Sequence, residues 1–234
     1  MTSVVPTVGV RASDREETSS HRFLRRNGLS LILVALFLAA LVGQAVTGWR
    51  VLNNDLRDHG RPELPLAAYV RTGHFVEAVG ENWESEFLQM AAFVWLTGFL
   101  FQKGSPESKD PDAVPEGDPP VTERSPWPTR RGGWVLKVYE HSLSITFLLL
   151  FLLLLLIHAA GGAREHSREQ ALLGQPPVGT FAYTATSQFW FESMQNWQSE
   201  FLAIIAMVLL GVFLREKGSP ESKSVATTHG ENEE

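Results

Sequence analysis

The chain reads as an all-α integral membrane protein of four transmembrane helices, built from two tandem, parallel helical-hairpin repeats. Three observations lead there. Long apolar runs alternate with strongly polar segments, although the averages alone, 44% hydrophobic residues and a mean hydropathy of -0.04, describe an ordinary soluble protein. Shifting the 234-residue sequence by 114 positions aligns 29–109 with 143–223 without a gap, 33 positions being identical. Prolines are absent between Thr7 and Arg61, Leu66 and Ser105, Thr129 and Gln175, and Val178 and Ser219, as long helices require.

The first span, about 29–49 (LSLILVALFLAALVGQAVTGW), has no charged residue and is long enough to cross roughly 30 Å of hydrocarbon. Arg25-Arg26 before it has the look of a twin-arginine signal, but the run matches an internal span and is expected in the mature chain. Gly60 and Pro62 should stop this helix, and Thr72 should cap the next. The second span, about 84–102, is apolar only from Phe87 and needs the turn carrying Glu86 to enter the bilayer. Lys103 and Gly104-Ser105-Pro106 should end it.

In the second copy the spans are about 143–162 and 198–215, with Gly174 and Pro176 as the stop, Ser187 as the cap and Gly218-Ser219-Pro220 at the end. Each helix should run about 30 residues, so the excess projects as a short stalk. The expected organisation is a disordered tail 1–22, a first repeat 23–109, a disordered linker 110–133 rich in Pro, Asp, Glu and Gly, a second repeat 134–223, and a disordered tail 224–234.

Lys and Arg number 5, 6 and 3 in the N-terminal tail, linker and C-terminal tail, against 4 and 2 in the two connecting loops. Both termini should therefore be cytoplasmic. Because each copy contains an even number of spans, both insert in the same sense, related by a pseudo-twofold axis along the membrane normal. Trp49, Trp83, Trp134 and Trp197 fall near the predicted interfaces, where indole anchors well.

The polar residues kept in both copies are the candidate site. Asn82, Ser85 and Glu86 share one helical face, and Asn196, Ser199 and Glu200 repeat it. Counting depth from Trp49 and Trp83 adds Gln44 and its counterpart His158, giving expected pairs Gln44–Glu86 and His158–Glu200 that tie each hairpin together or line a proton or cation path. Glu77, Glu81 and Glu84 also share a face, but the second copy has Phe191, Gln195 and Gln198 there, so they read as a solvated face.

Several chemistries are excluded or unsupported. With no cysteine there is no disulfide, thiolate site or cysteine nucleophile. The seven histidines contain no i, i+4 pair, and no phosphate-binding loop, dinucleotide fingerprint or GxSxG element is present. No catalytic residue, cofactor or metal site is expected, and a net charge of -6 gives no basis for nucleic-acid binding.

The paired blocks NWESEFL (Asn82–Leu88) and NWQSEFL (Asn196–Leu202), the two KGSPESK blocks, GLS at Gly28–Ser30, EHSLS at Glu140–Ser144 and RRGG at Arg130–Gly133 carry a resemblance over about 23–223. The chain resembles an uncharacterised family of bacterial multi-pass membrane proteins, a domain of unknown function. That resemblance implies a bacterial membrane protein but assigns no residue a role. The expected function is a non-enzymatic structural or interaction component of the cytoplasmic membrane whose partner is the lipid bilayer. The alternative is an ion or small-solute pathway, which with four spans would work as a homo-oligomer.

Overall fold

A computed structural model describes residues 19–113, 117 and 119–231. Among the described residues every regular element is helical. The chain divides into two compact units, 1–66 and 67–234.

The first unit is dominated by α1 (Ser19–Asp58), 40 residues with no internal proline. Gly60 takes φ +66, a left-handed conformation that lets the chain leave the helix and run back along it. The Leu64 backbone then docks on α1: Asn53 Nδ2 donates to Leu64 O (2.9 Å), Leu64 N donates to Asn53 Oδ1 (2.8 Å), and Trp49 Nε1 also reaches Leu64 O (2.6 Å). Arg57 and Glu63 close the turn with an ion pair at 2.6 Å.

In the second unit the short helix α2 (Leu66–Tyr69) opens at the boundary and leads into α3 (Gly73–Leu96). There follow α4 (Trp127–Arg131), α5 (Gly133–Glu140), α6 (Ser142–Leu172), α7 (Thr180–Tyr183) and α8 (Ser187–Phe213). The chief packing is α3 against α6, so α6 lies closest to a helix of the other copy and not to α8, its expected hairpin partner. The two run antiparallel: Gly73 meets Glu165, Gly80 meets His158, and the Phe87 and Phe147 rings stand 6.1 Å apart. α8 runs in the same direction as α3, with Ser193 beside Glu84 and Gly211 beside Pro106.

Glycine makes the α3–α6 approach close. A Cβ on Gly80 would sit 2.7 Å from the His158 backbone nitrogen, and one on Gly161 would sit 2.5 Å from that of Glu77. Small residues at a helix crossing replace the missing hydrophobic drive of a lipid environment with close van der Waals contact.

Among the described residues three helices, α1, α6 and α8, are long and apolar enough to cross a membrane. The second expected span, 84–102, does not reach that standard. Glu77, Glu81, Glu84 and Glu86 are spread over α3 up to its middle and leave Phe87–Leu96 as its uncharged part, about 15 Å of helix.

The helix ends also differ from expectation. α3 stops at Leu96 and α8 at Phe213, short of Lys103 and Lys217. Thr97 ends α3 by donating its hydroxyl to Phe93 O (2.9 Å). After α8 the Arg215 guanidinium donates to the carbonyls of Gly211, Val212 and Leu214 at 3.3, 3.1 and 2.8 Å, satisfying acceptors that the helix leaves free. The cap of α8 is Thr186, one residue before the expected Ser187. Thr186 accepts from Phe189 N at 3.3 Å as Thr72 accepts from Phe75 N at 3.4 Å.

Positions 114 apart repeatedly do the same local work. Asn53 holds Leu64, and Ser167 Oγ accepts from Val178 N at 2.9 Å. Ser108 Oγ accepts from Gln102 N, and Ser222 Oγ from Glu216 N, both at 2.8 Å.

The segments read as disordered carry structure where they are described. α4 lies within 110–133, preceded by a turn at Thr122–Ser125. After Lys223 the chain wraps that residue's buried ammonium, which donates to Thr228 O, His229 O and Glu231 O at 3.1, 3.1 and 2.9 Å. The N-terminal tail 1–18, residues 114–116 and 118, and 232–234 lie outside the described residues.

The two KGSPESK loops meet through Glu107, whose carboxyl is pushed up to about 7, first by burial and then by its hydrogen bond to Glu221 and that group's charge. A carboxyl raised above its ordinary 4.5 keeps a proton that the unfolded chain has released. The contact is therefore fullest below pH 4.5 and is lost as pH rises towards 7. Amide exchange across 217–231, corrected for intrinsic rates, should be a few-fold slower at pH 5 than at pH 8, the modest size expected of a half-exposed pair. Glu107→Gln should abolish the difference, and a pH effect unchanged in that variant would locate its cause elsewhere.

Candidate functional site

The bundle's polar centre forms where α6 changes character. Thirteen residues from Ile145 to Ile157 are apolar except for Thr146, and His-Ala-Ala-Gly-Gly-Ala follows at 158–163. The small residues admit α3, and His158 is left with no exposed surface. Buried polar groups of this kind must find partners.

Both ring nitrogens find carboxylates. Nδ1 lies 3.1 Å from Glu84 Oε2, and Nε2 lies 3.3 Å from Glu192 Oε2. Glu84 is itself fully buried, and its Oε1 accepts from Ser193 Oγ at 3.0 Å. On the other side the Tyr183 hydroxyl reaches Glu192 Oε2 at 2.7 Å and Glu77 Oε1 at 3.0 Å, while Gln188 Nε2 donates to Glu192 Oε1 at 2.5 Å. Ser193, Glu84, His158, Glu192, Tyr183 and Glu77 thus form one chain of contacts from α3, α6, α7 and α8. Glu81 lies half-buried beside it.

Burial first, and then the Glu192 and Glu77 carboxylates, hold the Tyr183 phenol well above its ordinary range, so it remains a donor at physiological pH. A phenol has one proton, and here two carboxyl oxygens are within its reach. Both contacts are hydrogen bonds only when one of the carboxyls carries a proton. Ligand atoms of Glu77, His158 and Glu192 all lie within 4.8 Å of one another, an arrangement able to hold a metal ion.

This is not the layer expected from depth counting. His158 pairs with Glu84 and Glu192, and Glu200 instead comes up against Glu86. Glu200 lies eight residues beyond Glu192, about 12 Å further along α8, so it falls at a different depth from His158. Gln44 stands half-buried on α1, in the first unit. The repeated Asn and Ser residues are satisfied within their own helices. Asn82 Nδ2 donates to Ala78 O at 2.7 Å and Asn196 Nδ2 to Glu192 O at 3.1 Å, and Ser85 and Ser199 donate to Asn82 O and Asn196 O, both at 2.8 Å.

The reading of Glu77, Glu81 and Glu84 as a solvated face is also corrected, since Glu84 has no exposed surface and the other two are half-buried. Their helix presents that face to α6. A sequence signal did exist, because every member of the chain except Tyr183 differs between the copies. Glu77, Glu84, His158, Glu192 and Ser193 stand opposite Phe191, Gln198, Gln44, Ala78 and Val79.

No curated protein and no solved structure matches this chain. A family model described as "Domain of unknown function (DUF6766)" matches residues 20–234. Together with the apolar helices α1, α6 and α8, that match identifies the chain as a helical protein of membrane character belonging to the DUF6766 family.

Proposed function

We propose that the protein is a non-enzymatic, multi-pass structural or interaction component of the bacterial cytoplasmic membrane, with four spans and both termini cytoplasmic. The observation that carries this reading is the confinement of the polar chain to one end of the bundle. Beyond Glu86 and Glu200, α3 offers only Gln89 before its end at Leu96, and α8 offers no polar side chain from Phe201 to Phe213. A solute path needs polar groups or water along its length, so these segments favour anchorage over conduction. The close packing of α3 along α6 supports counting α3 as the fourth span, its Glu84 turned to His158 and not to lipid.

Proteoliposomes holding the purified protein should show no proton or cation flux above that of empty vesicles. The competing pathway reading is favoured by one contact, the approach of the Glu86 and Glu200 carboxyls across α3 and α8. A flux that disappears in Glu86→Gln or Glu200→Gln would establish that reading in place of the first. For orientation, a cysteine introduced at the exposed Leu173 should react with an impermeant maleimide in intact cells. One at the exposed Glu123 should react only after permeabilisation, and the reverse pattern would overturn the orientation.

A further inference from the structure

We propose that Glu77, His158 and Glu192 form a binding site for one divalent first-row transition metal ion of the zinc type, held between α3, α6 and α8. This goes beyond the structural reading above and does not depend on it.

The donor set is two hard carboxylates and one borderline imidazole, a mixture that suits zinc, iron(II) or manganese, with their donor atoms already gathered within 4.8 Å. Two ligands each about 2.1 Å from an ion, at a near-tetrahedral angle, stand about 3.4 Å apart. His158 Nε2 and Glu192 Oε2 are at 3.3 Å.

The surroundings are those of a ligating histidine. A metal-bound imidazole characteristically gives its second N–H to a carboxylate, which fixes the ring and its tautomer. Here Glu84 occupies Nδ1, and Ser193 fixes Glu84 in turn, all three residues being buried. With Nδ1 protonated, the Nε2 lone pair is directed to the Glu77–Glu192 side. The backbone is also shaped for this: a Cβ on Gly162 would lie 2.6 Å from Glu77 Oε1 and collide with the Tyr183 ring.

Two further observations separate a ligand site from helix glue. The features that both copies need, such as the caps and the NWxSEFL stripe, are kept in both, whereas the three donors, Glu84 and Ser193 each occur in one copy only. The repeat can therefore form its helices without them. Second, Glu77, Glu84 and Glu192 surround one histidine, so even a fully charged imidazolium leaves the group short of positive charge. A divalent ion supplies that charge where packing buries His158 and Glu84 fully and the other two carboxylates in part.

The test uses the full-length protein in detergent, stripped with chelator and titrated with Zn²⁺ by calorimetry, and with Co²⁺ by visible absorption. One equivalent should bind at micromolar or lower concentration, with cobalt bands typical of nitrogen and oxygen ligands and a raised Tm. Glu77→Gln and Glu192→Gln should each weaken binding at least about 100-fold. Glu84→Gln, which only positions the ring, should weaken it about 10- to 100-fold with one equivalent still bound. Helical circular dichroism shows that each variant is folded. A His59→Ala/His141→Ala/His229→Ala variant removes three exposed imidazoles and should bind as wild type does. Absence of a stoichiometric site, or affinity unchanged in folded Glu77→Gln and Glu192→Gln, would overturn the proposal.

Discussion

Gly80→Ala should destabilise the protein by about 2 kcal/mol or more, even though alanine is the better helix former by about 1 kcal/mol. The new methyl would stand 2.7 Å from the His158 nitrogen and 2.8 Å from its Cα, both backbone atoms that no rotamer change can move. α3 and α6 would have to separate, and the contacts of Glu84 and Glu77 would lengthen with them. Gly161→Ala should behave similarly, its methyl falling 2.5 Å from Glu77 N. Gly43→Ala is the control. Nothing lies within 4 Å of that position, so alanine should leave stability unchanged or raise it by up to about 1 kcal/mol. Thermal unfolding in detergent, followed by circular dichroism, should give Tm values in the order Gly43→Ala, wild type, Gly80→Ala. Equal Tm values for the two variants would show that the helices do not approach as closely as described.

His158→Ala should cost about 3–5 kcal/mol, the range for removing one partner of a buried ionic pair. Glu84 would lose its donor at a position with no exposed surface, and Glu192 would lose one of its own. Much of that cost is the stranded carboxylate and not the lost attraction. The double variant His158→Ala/Glu84→Leu should consequently be less destabilised than the sum of the two single changes by more than about 1 kcal/mol. Chemical denaturation of the four proteins supplies the cycle. Additive energies would mean that His158 and Glu84 do not share an interaction in the folded protein.

The helical class, the membrane character and the positions of α1, α6 and α8 were legible because they rest on local signals, apolar runs and proline gaps. Helix termini were less so: Thr97 and Arg215 end helices through hydroxyl and guanidinium contacts that have no fixed spacing, whereas Gly60 and Gly174 announce themselves. The site was legible at one residue of its chain, His158. Depth counting assumed that each hairpin closes on itself, so His158 was set against Glu200 on α8. The close packing of α3 on α6 instead brings Glu84 and Glu77 to it, a pairing decided by glycine contacts about 80 residues apart in sequence. Ranking polar residues by their presence in both copies then selected Asn82, Ser85 and their counterparts, which serve their own helices. Residues found in a single copy were passed over, and these make up nearly all of the buried chain.

The glycine crossing joins two unlike surfaces. Its partners belong to different copies, and the match is one-sided: Gly80 stands opposite Met194 in the alignment, and Gly161 opposite Thr47. In a dimer of two identical chains every substitution appears twice, so a histidine cannot be added on one side alone. Within one polypeptide the two sides can differ: His158 and Glu192 stand on one, Glu77 and Glu84 on the other. The halves are therefore not interchangeable: two copies of the first would set Thr47 where Gly161 stands, and two copies of the second would set Met194 where Gly80 stands.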